Sequence, residues 1–313
     1  MASGADWPPT APLPVLRRRA EWMECVRRFF RERSVTEVET PILAGAGVTD
    51  RHIEGLREAW TGRWLQSSPE YAMKRLLAAG MGDCYQITPA FRAAEQGRWH
   101  NPEFRLLEWY RIGYTADALM EEIERLIEIV LGAGRAVRRR YADVFLDAGL
   151  PDPLTATDTS LRAAAEARSG APSANLSRRD HLDWLFSEVV APCLPARCFV
   201  THFPADQAVL ARLHPDDPRV AERFELFIDG IEIANGFREL TDAAALRARF
   251  EADQLARREA GQPVVAVDER LLAALSAGMP DCAGVAVGLD RLFALAAGAR
   301  SISGVIAFPW DRA

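Results

Sequence analysis

No run of apolar residues in this chain approaches the ~20 that a bilayer-crossing helix needs. The N-terminus is polar and Pro-rich, without the apolar stretch of a secretory leader. The five cysteines (Cys25, Cys84, Cys193, Cys198, Cys282) are an odd, scattered set. Only Cys193 and Cys198 are close, and no histidine or second cysteine pair sits beside them at zinc spacing. These absences predict a reduced, cytoplasmic protein with no membrane partner. An excess of basic charge is missing too. Lys+Arg total 38 against Asp+Glu 44, a net charge of -6, so nothing draws the whole chain toward phosphate backbones. The nearest basic patch, Arg135 to Arg140, is expected to be a solvated run at a helix end. Repeats, low-complexity tracts and persuasive linkers are also lacking. With 313 residues, 49% hydrophobic and 26% charged, the chain has material for a sizeable globular core.

The patterns that are present divide into helices and strands. From Val15 to about Arg33, apolar residues recur at three- and four-residue steps among arginines, which predicts an amphipathic helix. The β-branched run Val35 to Thr40 predicts a strand stopped by Pro41. Ser68-Pro69-Glu70 marks a helix start, with Tyr71, Met73 and Leu76 behind it. Two strands, Cys84 to Arg92 and Phe104 to Arg111, flank a polar loop. Helices are predicted at Ala116 to Leu131, Leu161 to Arg168, Arg179 to Val190 and Asp242 to Ala260. Residues Ala283 to Ala297 predict a strand of small residues turning at Gly288 into a helix. Hairpin-connected strands favour an α+β fold, an antiparallel sheet with helices packed on it. The organisation expected is an arm over residues 1–14 and one catalytic-size domain over 15–313, with about 132–197 as helical scaffold or insertion.

Three segments carry chemistry. Asp229-Gly230, between two alternating runs, signals a two-residue hairpin turn pairing Ile228 with Ile231, Phe227 with Glu232, Leu226 with Ile233 and Glu225 with Ala234. Glu225 and Glu232 then share a face as diagonal neighbours, ~7–8 Å apart at Cα. Mg²⁺ carried in by a nucleotide suits such a pair, and two solvated glutamates are the plain alternative. The loop Phe91 to Phe104 places Arg92, Arg98 and His100 over the sheet. Guanidinium is a clamp for phosphate or carboxylate, and Phe104 offers a face for a base. In Gly284 to Phe293, glycines permit close approach of a ligand, and Arg291 falls in the first turn of a helix, where backbone N–H groups favour anions.

In this order the segments resemble the three signature motifs of class II aminoacyl-tRNA synthetases. Motif 1 closes at Val38-Glu39-Thr40-Pro41, motif 2 is the Phe91 to Phe104 loop, and motif 3 is Gly284 to Arg291. The wording around them is similar to the lysine-specific branch: Ser68-Pro69-Glu70 before Met73-Lys74-Arg75-Leu76, His100-Asn101-Pro102-Glu103-Phe104 with Leu107-Glu108-Trp109-Tyr110, and Ala234-Asn235-Gly236-Phe237-Arg238-Glu239. Only a short arm precedes motif 1, where a lysyl-tRNA synthetase carries an anticodon-reading domain, and Ala286 replaces a motif 3 glycine. Both features resemble the short paralogues that ligate (R)-β-lysine to elongation factor P.

That resemblance implies a role for each residue. Arg92 would hold the α-phosphate and the substrate carboxylate, with Ala93 and Ala94 beside it at the ATP. Asn101 and Phe104 would fix and stack adenine, and Glu232, Ile233, Gly288 and Arg291 would complete the nucleotide site. Glu225 and Glu232 would hold Mg²⁺. Ser68, Pro69 and Glu70 would take the amino group nearest the carboxylate, Asn235 the carboxylate side, and Tyr110 with Glu239 the distal ammonium, over a floor set by Ala286. The glutamate expected two residues after Arg92 is replaced by Ala94, with Glu95 next to it. The implied enzyme is an ATP-dependent, AMP-forming ligase acting on elongation factor P, a homodimer with no tRNA partner. Its alternatives are a truncated lysyl-tRNA synthetase that charges tRNA, a silent regulatory subunit, and a free-standing ligase making a small amide such as asparagine.

Overall fold

The computed structural model describes residues 7–93, 95–132, 134–168, 170 and 176–313. In chain order the elements are α1 (Leu13–Arg31), β1 (Thr36–Glu37), β2 (Leu43–Ala44), β3 (Trp64–Leu65), α2 (Glu70–Ala78), β4 (Cys84–Phe91), β5 (Glu103–Ile112) and α3 (Ala116–Leu131). Then come β6 (Val137–Arg140), α4 (Tyr141–Asp147), α5 (Asp158–Glu166), α6 (Arg178–Leu185), β7 (Arg197–Thr201), β8 (Arg223–Ile228) and β9 (Ile231–Arg238). The chain closes with α7 (Ala243–Glu259), α8 (Glu269–Gly278), β10 (Cys282–Gly288) and α9 (Leu289–Ala296). It divides into two compact units, one of Met1–Gly113, Arg125–Ala133 and Thr241–Ala313, the other of Tyr114–Glu124 and Gly134–Leu240.

In the first unit the strands run in the order β1-β4-β5-β10. β5 is antiparallel to both neighbours, with Glu108 opposite Gln86 on one side and Ala286 on the other. Opposed residues share a face, so Glu108, Tyr110, Gly284, Ala286 and Gly288 stand on one side of the sheet. The reverse side is aromatic: Phe30 of α1 stacks on Tyr85 at 4.3 Å and meets Trp109 edge-on at 5.2 Å. α1 is amphipathic as its spacing predicts, burying Trp22, Val26, Phe29 and Phe30. The strand expected over Val35 to Thr40 is shorter. Only Thr36 and Glu37 form a ladder, parallel to β4, and pairing ends after Val38 donates to the Tyr85 carbonyl. The Pro-rich start is tied down, Thr10 donating to the Ala307 carbonyl and Arg312 to that of Pro8.

In the second unit the order is β9-β8-β7-β6, antiparallel except for β6 beside β7. Its core is aromatic, with Tyr141 stacked on Phe145 and Phe186 and packed with Phe203 and Phe227. The basic run does not end a helix: Arg138, Arg139 and Arg140 lie on β6, Arg138 paired with Asp117 and Arg139 with Asp147. Three arginines in succession mask a strand because they give it no alternation of polarity. The hairpin turn is as expected, with positive φ at Asp229 (50°) and Gly230 (75°). Its register holds for Ile228 with Ile231 and Phe227 with Glu232, then slips. A bulge at Ile233 puts Leu226 opposite Ala234 and Glu225 opposite Asn235, one residue from the simple pairing. Strict alternation counts residues and does not register an inserted one.

Candidate active site

Motif 2 is built by β4, β5 and the turn between them. Arg92 follows the last residue of β4, its backbone N–H donating to the Pro102 carbonyl. Its guanidinium lies over the Phe104 ring at 5.1 Å and pairs with Glu95 at 2.9 Å. Burial pushes Glu95 upward, but the charges of Arg92, His100 and Arg291 win and hold it below the ordinary carboxylate range. Glu95 thus stands as the acid beside Arg92; Ala94 lies outside the described residues. Ala93 donates to the Glu54 carbonyl. Asn101 is buried, accepting from the Trp310 N–H at 2.9 Å and donating to the Glu103 carbonyl at 2.6 Å. This asparagine therefore anchors the C-terminal segment to the motif 2 turn, which the sequence did not signal.

Motif 3 meets the same turn. Gly288 ends β10 and begins α9, and Arg291 in the first turn donates to the Trp99 carbonyl at 3.0 Å, with Nη2 2.6 Å from His100 Nε2. Arg92 and Arg291 are thus held on one loop, each by its own partner. Two arginines on a shared scaffold are suited to a polyanion.

The face of β5 carries a second group. Glu108 is buried, accepting from the hydroxyls of Ser68 and Tyr110, both at 2.6 Å. Ser68 accepts in turn from the Glu70 N–H at 3.0 Å, which makes it the turn that starts α2 after Pro69. Glu70 accepts from Lys74 Nζ at 2.6 Å, and Lys74 is only 1% exposed. Burial, and after it the charge of Glu70, pushes Glu108 up to about 7, against the two hydroxyls and the Lys74 ammonium. Ala286 lies directly across from Glu108 on β10, between Gly284 and Gly288 on the same face. Ser68 and Pro69 also line a cavity of about 420 Å³ walled by Trp64, Tyr71 and Asp268, but neither arginine nor either of these carboxylates takes part in it.

In the second unit the bulge sets Glu225 against Asn235. Arg223 pairs with Glu225 and donates to Asn235 Oδ1 at 3.3 Å, and Asn235 Nδ2 donates to Glu225 at 3.1 Å. Burial pushes Glu225 up to about 8; Arg223 opposes this and the nearby charge of Glu232 adds to it. A buried carboxylate strained by a second one is a donor set for a hard cation, and two protein carboxylates leave room for phosphate oxygens. Glu225 is buried, while Glu232 is half-exposed. Ile233, the bulge residue, and Glu239 are both buried.

Sequence reasoning therefore selected residues that the structure groups into three sets, two in the first unit and one in the second. It passed over Glu108, Lys74 and Arg223. Lys74 had a signal, a basic residue four positions after Glu70 on a helix whose neighbours Met73 and Leu77 are apolar. Glu108 had one as well, a lone carboxyl inside the apolar run of β5. Among the described residues no cluster of three or more His, Cys, Asp or Glu forms a metal site, and no helix is long and apolar enough to cross a membrane.

A model of the family described as tRNA synthetases class II (D, K and N) matches residues 13–312. A protein of Vibrio cholerae serotype O1 is 46% identical over 325 residues, spanning 99% of this chain and 100% of its own length. One from Klebsiella pneumoniae (strain 342) is also 46% identical, spanning 100% of both chains. Each bears the name elongation factor P--(R)-beta-lysine ligase.

Proposed function

The chain belongs to the class II tRNA synthetases (D, K and N) and, within them, to the elongation factor P--(R)-beta-lysine ligases, and from that membership we propose that it activates (R)-β-lysine with ATP and transfers it to the ε-amine of a lysine on elongation factor P. The observation that carries this reading is the pair Glu70 and Glu108 beside the small-residue floor of β10. With the Lys74 ammonium set against them, buried Glu108 and half-buried Glu70 keep charge for one ammonium of a diamino substrate.

In the first step a substrate carboxylate oxygen attacks the α-phosphorus of ATP, and pyrophosphate leaves with the electrons of the broken P–O bond. Arg92 holds the carboxylate and the α-phosphate, and Arg291 grips the far end of the triphosphate. Asn101 and Phe104 fix adenine, with Ala93 and Gly288 at the nucleotide. Glu225 and Glu232 would hold Mg²⁺, which would supply neutralisation of phosphate charge. Ser68, Pro69 and Glu70 take the amino group nearest the carboxylate, and Tyr110 the distal ammonium. In the second step the acceptor amine attacks the acyl carbon, AMP departs, and the amine loses a proton. No protein nucleophile is needed; positioning and charge neutralisation supply the acceleration. The acceptor is a protein rather than tRNA, and the enzyme acts as a homodimer built through motif 1.

The test is mass spectrometry of elongation factor P after incubation with the protein, ATP and each lysine isomer. A mass gain of one lysyl group, strongest with (R)-β-lysine and abolished by Arg92→Ala in a variant that still melts normally, is the expected result. Charging of bulk tRNA without modification of elongation factor P would overturn it.

A further inference from the structure

A fully buried lysine on a helix is costly to place. Met73, Lys74 and Leu77 all turn inward from α2, and a methionine or leucine in place of Lys74 would bury with no charge to desolvate. The helix nevertheless places an ammonium there, 2.6 Å from Glu70 and close enough to Glu108 for its charge to act on that carboxyl. Two carboxylates packed together without a cation end by sharing a proton. One ammonium against two carboxylates leaves a single negative charge, enough to receive one ammonium of an incoming substrate.

We propose that Lys74 is a positioning residue for the amino-acid site: its buried ammonium fixes Glu70 and offsets the charge of the Glu70–Glu108 pair, so that receiving charge is preformed when a diamino acid arrives. Lys74 itself touches no reacting atom. It acts through Glu70, and the inference rests on the reading of that site given above. The groups facing Glu108 are Ser68 before α2, Glu70 and Lys74 on α2, Tyr110 on its own strand, and Gln86 and Cys84 on β4, the thiol being pushed up to about 12 by burial with Asp83 and Glu108 contributing. Of these only Lys74 is cationic, so removing it shifts protonation of the pair to higher pH.

The experiment is ATP–pyrophosphate exchange driven by (R)-β-lysine, from about pH 6 to about pH 9, in wild type and Lys74→Met. The variant is expected to raise the KM for the amino acid by about 10-fold or more near neutral pH, with the KM for ATP unchanged. Its amino-acid KM falls as pH rises, because the pair then sheds the proton that the missing ammonium no longer displaces. In a Glu70→Gln background the same substitution adds less than about 2-fold, since the two act as one unit. An amino-acid KM within about 2-fold of wild type with a parallel pH profile, or effects that simply multiply in the double variant, would overturn the proposal. If Lys74→Met does not fold, Lys74→Arg should keep the wild-type pH profile and Lys74→Gln should displace it; identical profiles sink the idea. A wild type that supports no exchange with any diamino acid defeats the functional reading and this proposal with it, whereas normal wild-type exchange beside an unaltered Lys74→Met defeats this proposal alone.

Discussion

Ala286 contributes a single methyl group to the floor of the candidate amino-acid site. Ala286 is half-buried, lies opposite Glu108 on the neighbouring strand, and sits between two glycines on the same face. A side chain as short as Ala286 changes only the volume of the floor, and one methylene in a pocket discriminates by roughly 10- to 200-fold. Ala286→Gly is therefore expected to raise kcat/KM for L-α-lysine relative to (R)-β-lysine by about 10-fold in pyrophosphate exchange. An unchanged ratio would show that the methyl is not the filter. Arg92 illustrates the other kind of residue, one whose surroundings do the selecting. Its charge is balanced by Glu95 and its plane is set by Phe104, so both a phosphate and a carboxylate can approach a guanidinium already oriented.

Elements place these residues, and they are held by local devices that a reader of the chain can find. Asp242 caps α7, its carboxylate accepting from the N–H groups of Ala244 at 2.8 Å and Ala245 at 3.1 Å. Further along α7, Arg257 is buried and donates to the carbonyls of Thr49, Asp50 and Ile53. Weakening the start of α7 should thus cost stability without touching the chemistry. Asp242→Ala is expected to destabilise by roughly 1 kcal/mol, read as a lower urea midpoint at unchanged m-value, with exchange activity retained. The β8–β9 hairpin shows where local reading fails. Asp229-Gly230 announced its turn correctly, yet the bulge at Ile233 moved Asn235 opposite Glu225. That pairing brings the asparagine amide onto the buried carboxyl.

At the scale of the molecule, buried carboxyls make stability depend on pH. Glu108 titrates near 7 when folded, against about 4.3 for a free glutamate, because burial and Glu70 disfavour its charged form. Its contribution is therefore fully present below about pH 4.3 and is lost as pH rises through 7, a difference on the order of 4 kcal/mol. The melting temperature of the ligand-free protein should fall between about pH 5 and about pH 8, and Glu108→Gln should lessen that fall, the remainder belonging to Glu225, which burial pushes up to about 8. A slope that survives the substitution undiminished would assign the effect to another group. Amphipathic α1, the β4–β5 pair, the Asp-Gly turn, the strand-to-helix step at Gly288 and the family itself were all legible along the chain, because each depends on residues close in sequence: apolar spacing, turn residues, motif wording. The strand at Arg138 to Arg140, the one-residue shift past the bulge, and the meeting of Lys74, Glu70, Ser68 and Glu108 were not. Those depend on which distant segments lie side by side, and on burial that converts ordinary carboxyls into groups that hold a proton near neutrality. Local chemistry is written in the order of residues, while charge balance in a low-dielectric interior exists only once the chain has closed around it.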